Sequence, residues 1–454
     1  MNRLVDHLKG LGVSQIFFGA GARNSKLVTE LKKFKQNFIL DERSGSFSAL
    51  GLSKASNKPV VICTTSGTAV AECLPAVIEA FYSMTKLIII SADRPERLHG
   101  THSPQTIVQS GIFTSYAPTL FSGKLNEYQI KEISYPFHIN IEIDDNELNN
   151  QELIAQLSKE DGRNALNNSV CPLVVLTEGG QLTQEQINLL IKKNYLFYIE
   201  CTSNYKNLDF DGKQIQEKTV LQLLNQNIID LIIKDGFTPF SKIWRELDRQ
   251  YVKVQILSFR NPKVGLARGS ILFEISTSLD VKKSIPFESF DLECLIRKYP
   301  KSEIAVFKGI EKSLEANDIV YIGNSMAIRY WQLIDSSLNK IFASRGANGI
   351  DGQISTAIGI AMNTKSVVHC VVGDLTFLYD IGSLLFKIPS NLKIHIVNNF
   401  GGRIFERVKV HPEMKLEHEL EIKKLICGFH NSDQVEEYFV DKDQTNLFWE
   451  SWNA

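Results

Sequence analysis

The sequence predicts an α/β protein built from three parallel-sheet layers, and three observations carry that expectation. Short apolar runs alternate with helical patterns along the chain. The runs end in small residues, Asn, Asp and Arg (TTSGT, SADRP, GNS, SRGANG, VVGDL, VNNFGG), as strand ends facing a ligand do. The length, 454 residues, suits two or three domains.

The first domain is expected over residues 1–148. Its strand candidates are QIFFGA (15–20), NFIL (37–40), PVVICTT (59–65), KLIIISAD (86–93) and HINIEI (138–143). Helical patterns such as SGSFSALGLSKA and GTAVAECLPAVIEAFYS lie between them. Residues 144–170 are polar and read as a linker with one helix. A middle domain with its linkers is expected over 149–298, with strands PLVVLTE (172–178), LFYIEC (196–201), IDLIIKDG (229–236), VQILSF (254–259) and ILFEIS (271–276). Residues 277–300 read as a second linker. The last domain, 299–454, opens with the helical SEIAVFKGIEKSLEAND (302–318). Strands IVYIGN (319–324), KIFASR (340–345), VVHCVVGD (367–374) and KIHIVNN (393–399) follow.

Composition narrows the function classes. Hydrophobic residues make up 43% and charged residues 22%, as in an ordinary globular enzyme. Lys+Arg (50) balances Asp+Glu (51), so charge makes no case for nucleic acid or a membrane surface. The seven cysteines are scattered and show no CxxC, against a zinc site or a disulfide framework and in favour of a reducing cytosol. The amphipathic N-terminus, with Asp6, does not read as a signal peptide. No apolar run approaches the roughly 20 residues that span a bilayer.

The chemistry concentrates in CVVGDLTFLYD (370–380) and IHIVNNFGG (394–402). Gly373 lets the chain turn after a strand and leaves the Asp374 carboxylate at the sheet edge. Asn399 offers an amide oxygen, and Gly401 a carbonyl that a ligand can approach closely. Alone, a strand-end Asp commonly caps a helix or makes a turn. Together these are hard oxygen donors of the kind Mg²⁺ takes when phosphate and water supply the rest. They point to a metal-bridged diphosphate.

This GD…NN pair resembles the diphosphate motif of thiamine-diphosphate (ThDP) enzymes. It reads GDL where a third glycine is usual, as in 2-succinyl-5-enolpyruvyl-6-hydroxy-3-cyclohexene-1-carboxylate synthases. DERSGSFSALGLSKAS (41–56), TSGTAVAECLPAVIEA (65–80), IIISADRPERL (88–98), GNSMAIR (323–329) and SRGANGIDGQISTAIGIA (344–361) resemble the same family. The chain is similar to a shortened member. The resemblance implies pyrimidine-binding, middle and diphosphate-binding domains, ThDP and Mg²⁺ as cofactors, and a homodimer or homotetramer in which two subunits hold the two ends of each cofactor.

Residue roles follow from the same resemblance. Glu42 would exchange a proton with the cofactor pyrimidine, a task helped by an apolar site that raises its pKa; by position alone it is an acid at a helix start. Thr65, Ser66 and Gly67 would lie on the pyrimidine side. Asp374, Asn399 and the carbonyl of Gly401 would bind Mg²⁺, with Asn324, Ser325, Gly373, Leu375, Gly402, Arg403 and Ile404 around the diphosphate. Ile350 would wedge between the two cofactor rings. The family decarboxylates 2-oxoglutarate and adds the resulting fragment to isochorismate, so arginine forks for carboxylates are expected. Arg23, Arg94, Arg329 and Arg345 match, with Gln105 beside them. Ala22 and Asn24 stand where the family has hydroxyl residues, and Pro104 where it has Asn, which leaves the acceptor open. The chain stops at FWESWNA, where a last strand and helix are expected. A simple 2-oxo acid decarboxylase and a non-catalytic ThDP-fold binding protein are the alternatives. A Rossmann oxidoreductase, suggested by GAGARN, fails on the spacing of its glycines.

Overall fold

In the computed structural model, the residues described are 3–100, 105–144, 169–176, 182–199, 203–235, 251–258, 292–334, 338–406 and 417–453, apart from isolated positions within these ranges. They form three sheets in which every strand pairing is parallel. The first contains β1 (Gln15–Gly19), β2 (Lys35–Ile39), β3 (Val60–Thr64), β4 (Leu87–Asp93), β5 (Thr119–Lys124) and β6 (Phe137–Glu142), in the order β2-β1-β3-β4-β6-β5. The second contains β7 (Pro172–Leu176), β8 (Leu196–Ile199), β9 (Leu231–Asp235) and β10 (Gln255–Ser258), in the order β10-β9-β7-β8. The third contains β11 (Ile319–Ile322), β12 (Ile341–Phe342), β13 (Val368–Gly373), β14 (Leu392–Asn398) and β15 (Val435–Phe439), in the order β12-β11-β13-β14-β15.

The central strands are the continuous apolar runs of the sequence, because parallel strands are covered on both faces. β3, β4 and β11 are buried at every residue. The two strands absent from the sequence reading, β5 and β15, lie at sheet edges. TLFSGK and VEEYF are half-exposed and mix polar with apolar residues, so no apolar run marks them. A final strand and helix (Lys442–Asn453) therefore do precede the end of the chain, and FWESWN lies in that helix. The candidate strand ILFEIS and most of both predicted linkers lie outside the described residues.

The described chain divides into two compact units. One holds Met1–Pro95, Ile107–Ile143 and Gly269–Ala454, and so contains the first and third sheets. The other holds Glu96–Thr106 and Asp144–Arg268, with the second sheet. In the second unit, β7 and β9 carry apolar cores on both faces of the sheet.

Within the first unit the helix Glu42–Ser56 crosses the helix Gln353–Ala361 at backbone contact. A Cβ on Gly51 would lie 2.0 Å from the carbonyl oxygen of Thr356, and one on Gly359 would lie 2.0 Å from that of Ser48. Only glycine permits this approach. Asp380, fully buried, accepts from the backbone N–H of Ser355 (2.7 Å) and from Ser44 Oγ (3.4 Å), tying the two helices' first turns together.

Candidate active site

Parallel sheets bind ligands where strand order reverses. In the third sheet that point lies between β11 and β13. A cleft of about 140 Å³ opens at these strands' carboxyl ends. It is lined by the ten residues expected around the cation and diphosphate, and by Ile350. Asn324 and Ser325 follow β11; Gly373, Asp374 and Leu375 close β13; Asn399, Gly401, Gly402, Arg403 and Ile404 follow β14; Ile350 comes from the loop before Gln353. The register pairs Gly373 with Val397, so Asp374 and Asn399 emerge side by side from neighbouring strands.

Asp374 is almost fully buried. Its Oδ1 accepts from Leu375 N–H (2.7 Å), and its Oδ2 from Gly401 N–H (2.9 Å) and Asn399 N–H (3.2 Å). His418 Nε2 stands 3.2 Å from the same Oδ2. Burial pushes the Asp374 carboxyl up, against the pull of these donors and of His418; a bound cation would add to that pull. Asn399 is also buried, and its Oδ1 has no hydrogen-bond partner. The Gly401 carbonyl accepts from Arg403 N–H (2.9 Å) and keeps a second lone pair. A carboxylate, an orphaned amide oxygen and a carbonyl are the donor set a hard cation requires, so these residues fit Mg²⁺.

The loops around the cleft are firmly held. Asn324 Nδ2 donates to the carbonyls of Ser344 (2.8 Å) and Gly349 (2.7 Å), so its side chain stitches loops together. Ser325 (φ 62°) and Phe400 (φ 62°) occupy a region that costs non-glycine residues energy and that clusters at ligand sites. Ser325 precedes the helix Met326–Leu333, whose N-terminus adds N–H groups suited to an anion. Arg403 Nε donates to the Asn399 carbonyl.

The other candidates sit at the carboxyl edge of the first sheet. Asp41 caps the helix Glu42–Ser56, accepting from the N–H groups of Arg43 and Ser44. Glu42, next along, folds over Gly19: a Cβ there would lie 2.6 Å from Glu42 Oε1. Gly21 meets Thr65 in the same way, at 2.2 Å. GAG thus clears room for both side chains. Burial pushes the Glu42 carboxyl up, and the charges of Asp41 and Glu72 add to it. The hydroxyls of Thr65 and Ser66 are buried without partners. Gly67 N–H donates to Gln109 Oε1 (2.8 Å), and Gln109 Nε2 to the Ala92 carbonyl (3.1 Å) and Asn140 Oδ1 (3.0 Å).

The substrate-side candidates are more scattered. Arg23 is half-buried and reaches the Ile143 carbonyl (3.4 Å). Arg94 follows β4 at the same sheet edge. Arg329 is exposed and donates back to the Ser325 carbonyl (2.5 Å). Gln105 is exposed and belongs to the other compact unit; Arg345 lies outside the described residues. Asn24, where a hydroxyl is usual, is buried and donates to the Gly19 carbonyl (2.8 Å). Glu303, Gln109 and His418 were not singled out from the sequence. Each is an ordinary polar residue there, and only tertiary packing brings it to a site.

The chain is similar to known proteins. The family profile described as "Thiamine pyrophosphate enzyme, N-terminal TPP binding domain" matches residues 1–112. The 2-succinyl-5-enolpyruvyl-6-hydroxy-3-cyclohexene-1-carboxylate synthase of Bdellovibrio bacteriovorus is 31% identical, over 89% of this chain and 86% of its own. The chain belongs to that synthase family. It is accordingly a ThDP-dependent transferase. The Flavobacterium johnsoniae synthase is 28% identical, over 90% of this chain and 85% of its own. The synthase fold extends to an X-ray structure from Mycobacterium smegmatis, described as a thiamin diphosphate-dependent enzyme. That structure superposes with a TM-score of 0.51 at 13% identity, covering 99% of this chain and 96% of that one.

Proposed function

We propose that this chain binds ThDP with Mg²⁺, releases CO₂ from a 2-oxo acid of the 2-oxoglutarate type, and joins the remaining fragment to a carboxylate-bearing acceptor such as isochorismate. The observation that carries this reading is the buried, unsatisfied Asn399 Oδ1 beside Asp374 and Gly401. Asp374, Asn399 and the Gly401 carbonyl would hold the cation. Ser325, Leu375, Gly402, Arg403 and Ile404 would surround the diphosphate, over the Gly373 turn and the Asn324 stitch, with Ile350 against the cofactor's bend. Bound ThDP supplies the nucleophilic carbon and the electron sink for decarboxylation.

The chain's own work is proton handling and orientation. Glu42, with its raised pKa, keeps a proton available closer to neutral pH than an ordinary carboxyl does. Thr65, Ser66 and Gly67 would face the same cofactor ring. Arg23, Arg94, Arg329 and Arg345 supply charge for substrate carboxylates, and Gln105 a neutral donor. The division into pyrimidine-binding (1–148), middle (149–298) and diphosphate-binding (299–454) domains belongs to this reading, as does a cytoplasmic location, which the free cysteines suit.

The cleft that gathers the diphosphate residues is not lined by Glu42, Thr65, Ser66 or Gly67. This supports a cofactor shared between two copies, in a homodimer or a homotetramer. Mixing Glu42→Gln with Asp374→Ala protein should then give turnover that neither variant has alone. A mixture as inactive as its components would place each site within one chain.

The reaction itself is tested with ThDP, Mg²⁺, 2-oxoglutarate and isochorismate, following CO₂ and acceptor together. Both should change in step. CO₂ release with the acceptor untouched would make the protein a simple decarboxylase. No CO₂ from any of several 2-oxo acids, in protein that retains ThDP, would make it a binding protein. Glu42→Gln should abolish turnover and leave ThDP affinity within a few-fold; full activity in that variant would remove Glu42 from the mechanism.

A further inference from the structure

The amide of Asn399 is held by Glu303, which also lines the cleft. Its Nδ2 donates to Glu303 Oε1 at 3.0 Å. Glu303 opens the helix Glu303–Lys312 and is only 4% exposed. Its Oε2 accepts from Tyr330 OH at 3.1 Å, and its backbone N–H donates to Thr445 Oγ1 at 3.0 Å. Tyr330 OH in turn accepts from Trp449 Nε1 at 2.9 Å. Thr445 and Trp449 both belong to the final helix, Lys442–Asn453.

The polarity of this relay is fixed by chemistry. The indole N–H only donates, so the tyrosine must accept from it and spend its single proton on Glu303. Asn399 turns its NH₂ toward Glu303, whose Oε1 accepts from it. The amide oxygen is then left facing the cleft, buried and unsatisfied. A free asparagine could sit either way round. With a donor in place of Glu303, the NH₂ could face the cleft, and an NH₂ group cannot bind a cation.

We propose that Glu303, held by Tyr330, Trp449 and Thr445, is the positioning residue that aims the Asn399 oxygen at the cation site, so that the C-terminal helix supports that site. The inference rests on the reading of Asn399 as a metal ligand.

The test uses the full-length protein and Mn²⁺ as a paramagnetic stand-in for Mg²⁺. Metal affinity is measured by electron paramagnetic resonance titration at saturating ThDP. ThDP affinity is measured separately in chelator, without metal. Glu303→Gln can offer its own NH₂ to Asn399 Oδ1 and reverse the amide. It should weaken Mn²⁺ binding about 10–100-fold, the usual cost of losing a residue that orients a ligand. Its metal-free ThDP affinity should stay that of the unaltered protein. Tyr330→Phe keeps the Glu303 charge while breaking the relay, and should weaken Mn²⁺ binding by a smaller factor. It also serves as the test if Glu303→Gln fails to fold. Unchanged Mn²⁺ affinity in folded Glu303→Gln, or equal losses of metal-free ThDP and Mn²⁺ binding, would overturn the proposal. If the unaltered protein binds no Mn²⁺ in the presence of ThDP, the cofactor reading falls, and this inference with it.

Discussion

Gln109 shows how one side chain can connect the Thr65–Gly67 loop to the core. It is 1% exposed, takes the Gly67 N–H, and gives its NH₂ to Ala92 and Asn140. Asn140 passes the connection to Asp93 (2.7 Å), and Ser91 links it to His138 (2.6 Å). Gln109→Leu leaves the Gly67 N–H without its acceptor and removes a donor from Asn140. Each group stranded in the interior costs about 1–3 kcal/mol, so a loss of about 3 kcal/mol is expected in denaturant unfolding. A loss below ~1 kcal/mol would mean that the loop holds itself. The family resemblance singled out Gln105, which is exposed, for the substrate, and Gln109 was not singled out. Nothing in HSPQTIVQSG marks Gln109 as buried without the packing. Asp374 and Asn399 were legible because each ends an apolar run with a hard oxygen. Glu303 was not, because an acid in a helix's first turn is what the helix dipole favours anyway.

Among the elements, the crossing of Glu42–Ser56 over Gln353–Ala361 makes an unusually sharp prediction. By helix propensity alone, Gly51→Ala should stabilise by about 1 kcal/mol. The methyl would, however, lie 2.0 Å from the Thr356 carbonyl oxygen, and overpacking of this kind costs about 1–3 kcal/mol. The variant should therefore melt lower than the unaltered protein. A higher melting temperature would show that the helices can part without penalty. The core strands were readable because their apolar runs are uninterrupted. The edge strands β5 and β15 were not, because solvent on one side lets lysine and glutamate into their sequences. GTAVAECLPAVIEAFYS reads as one helix and folds as two, Thr68–Ala71 and Leu74–Tyr82, with Pro75 in the first turn of the second.

For the molecule as a whole, buried titratable groups set the response to acid. Burial pulls His138 down to about 3 and, with help from the His369 charge, His395 down to about 4. His369 is also lowered by burial, against the pull of Asp318. Below their ordinary 6.5 the unfolded chain takes up these protons and the folded chain does not, so stability falls as pH falls. Asp380 works the other way: burial raises it to about 6, so between there and its ordinary 3.8 the folded form binds the proton first. Glu42 and Asp374, also raised by burial, share its sign, while His7, also lowered by burial, joins the histidines, four groups against three. Unfolding free energy should drop between pH 6.5 and 5, with a slope of about 1.4 kcal/mol per pH unit for each fully neutral histidine. A flat or rising profile in chemical denaturation would contradict this assignment of buried charge.

β13 and β14 are parallel neighbours in a fixed ladder, so that ladder, and not the chain joining them, sets how far apart the acid and the amide stand. Their interval of twenty-five positions is incidental. Residues could be inserted into the connecting segment, or deleted from it, without separating the two. One extra residue inside β14 would instead turn the amide to the opposite face of the sheet, and no lengthening elsewhere could bring it back.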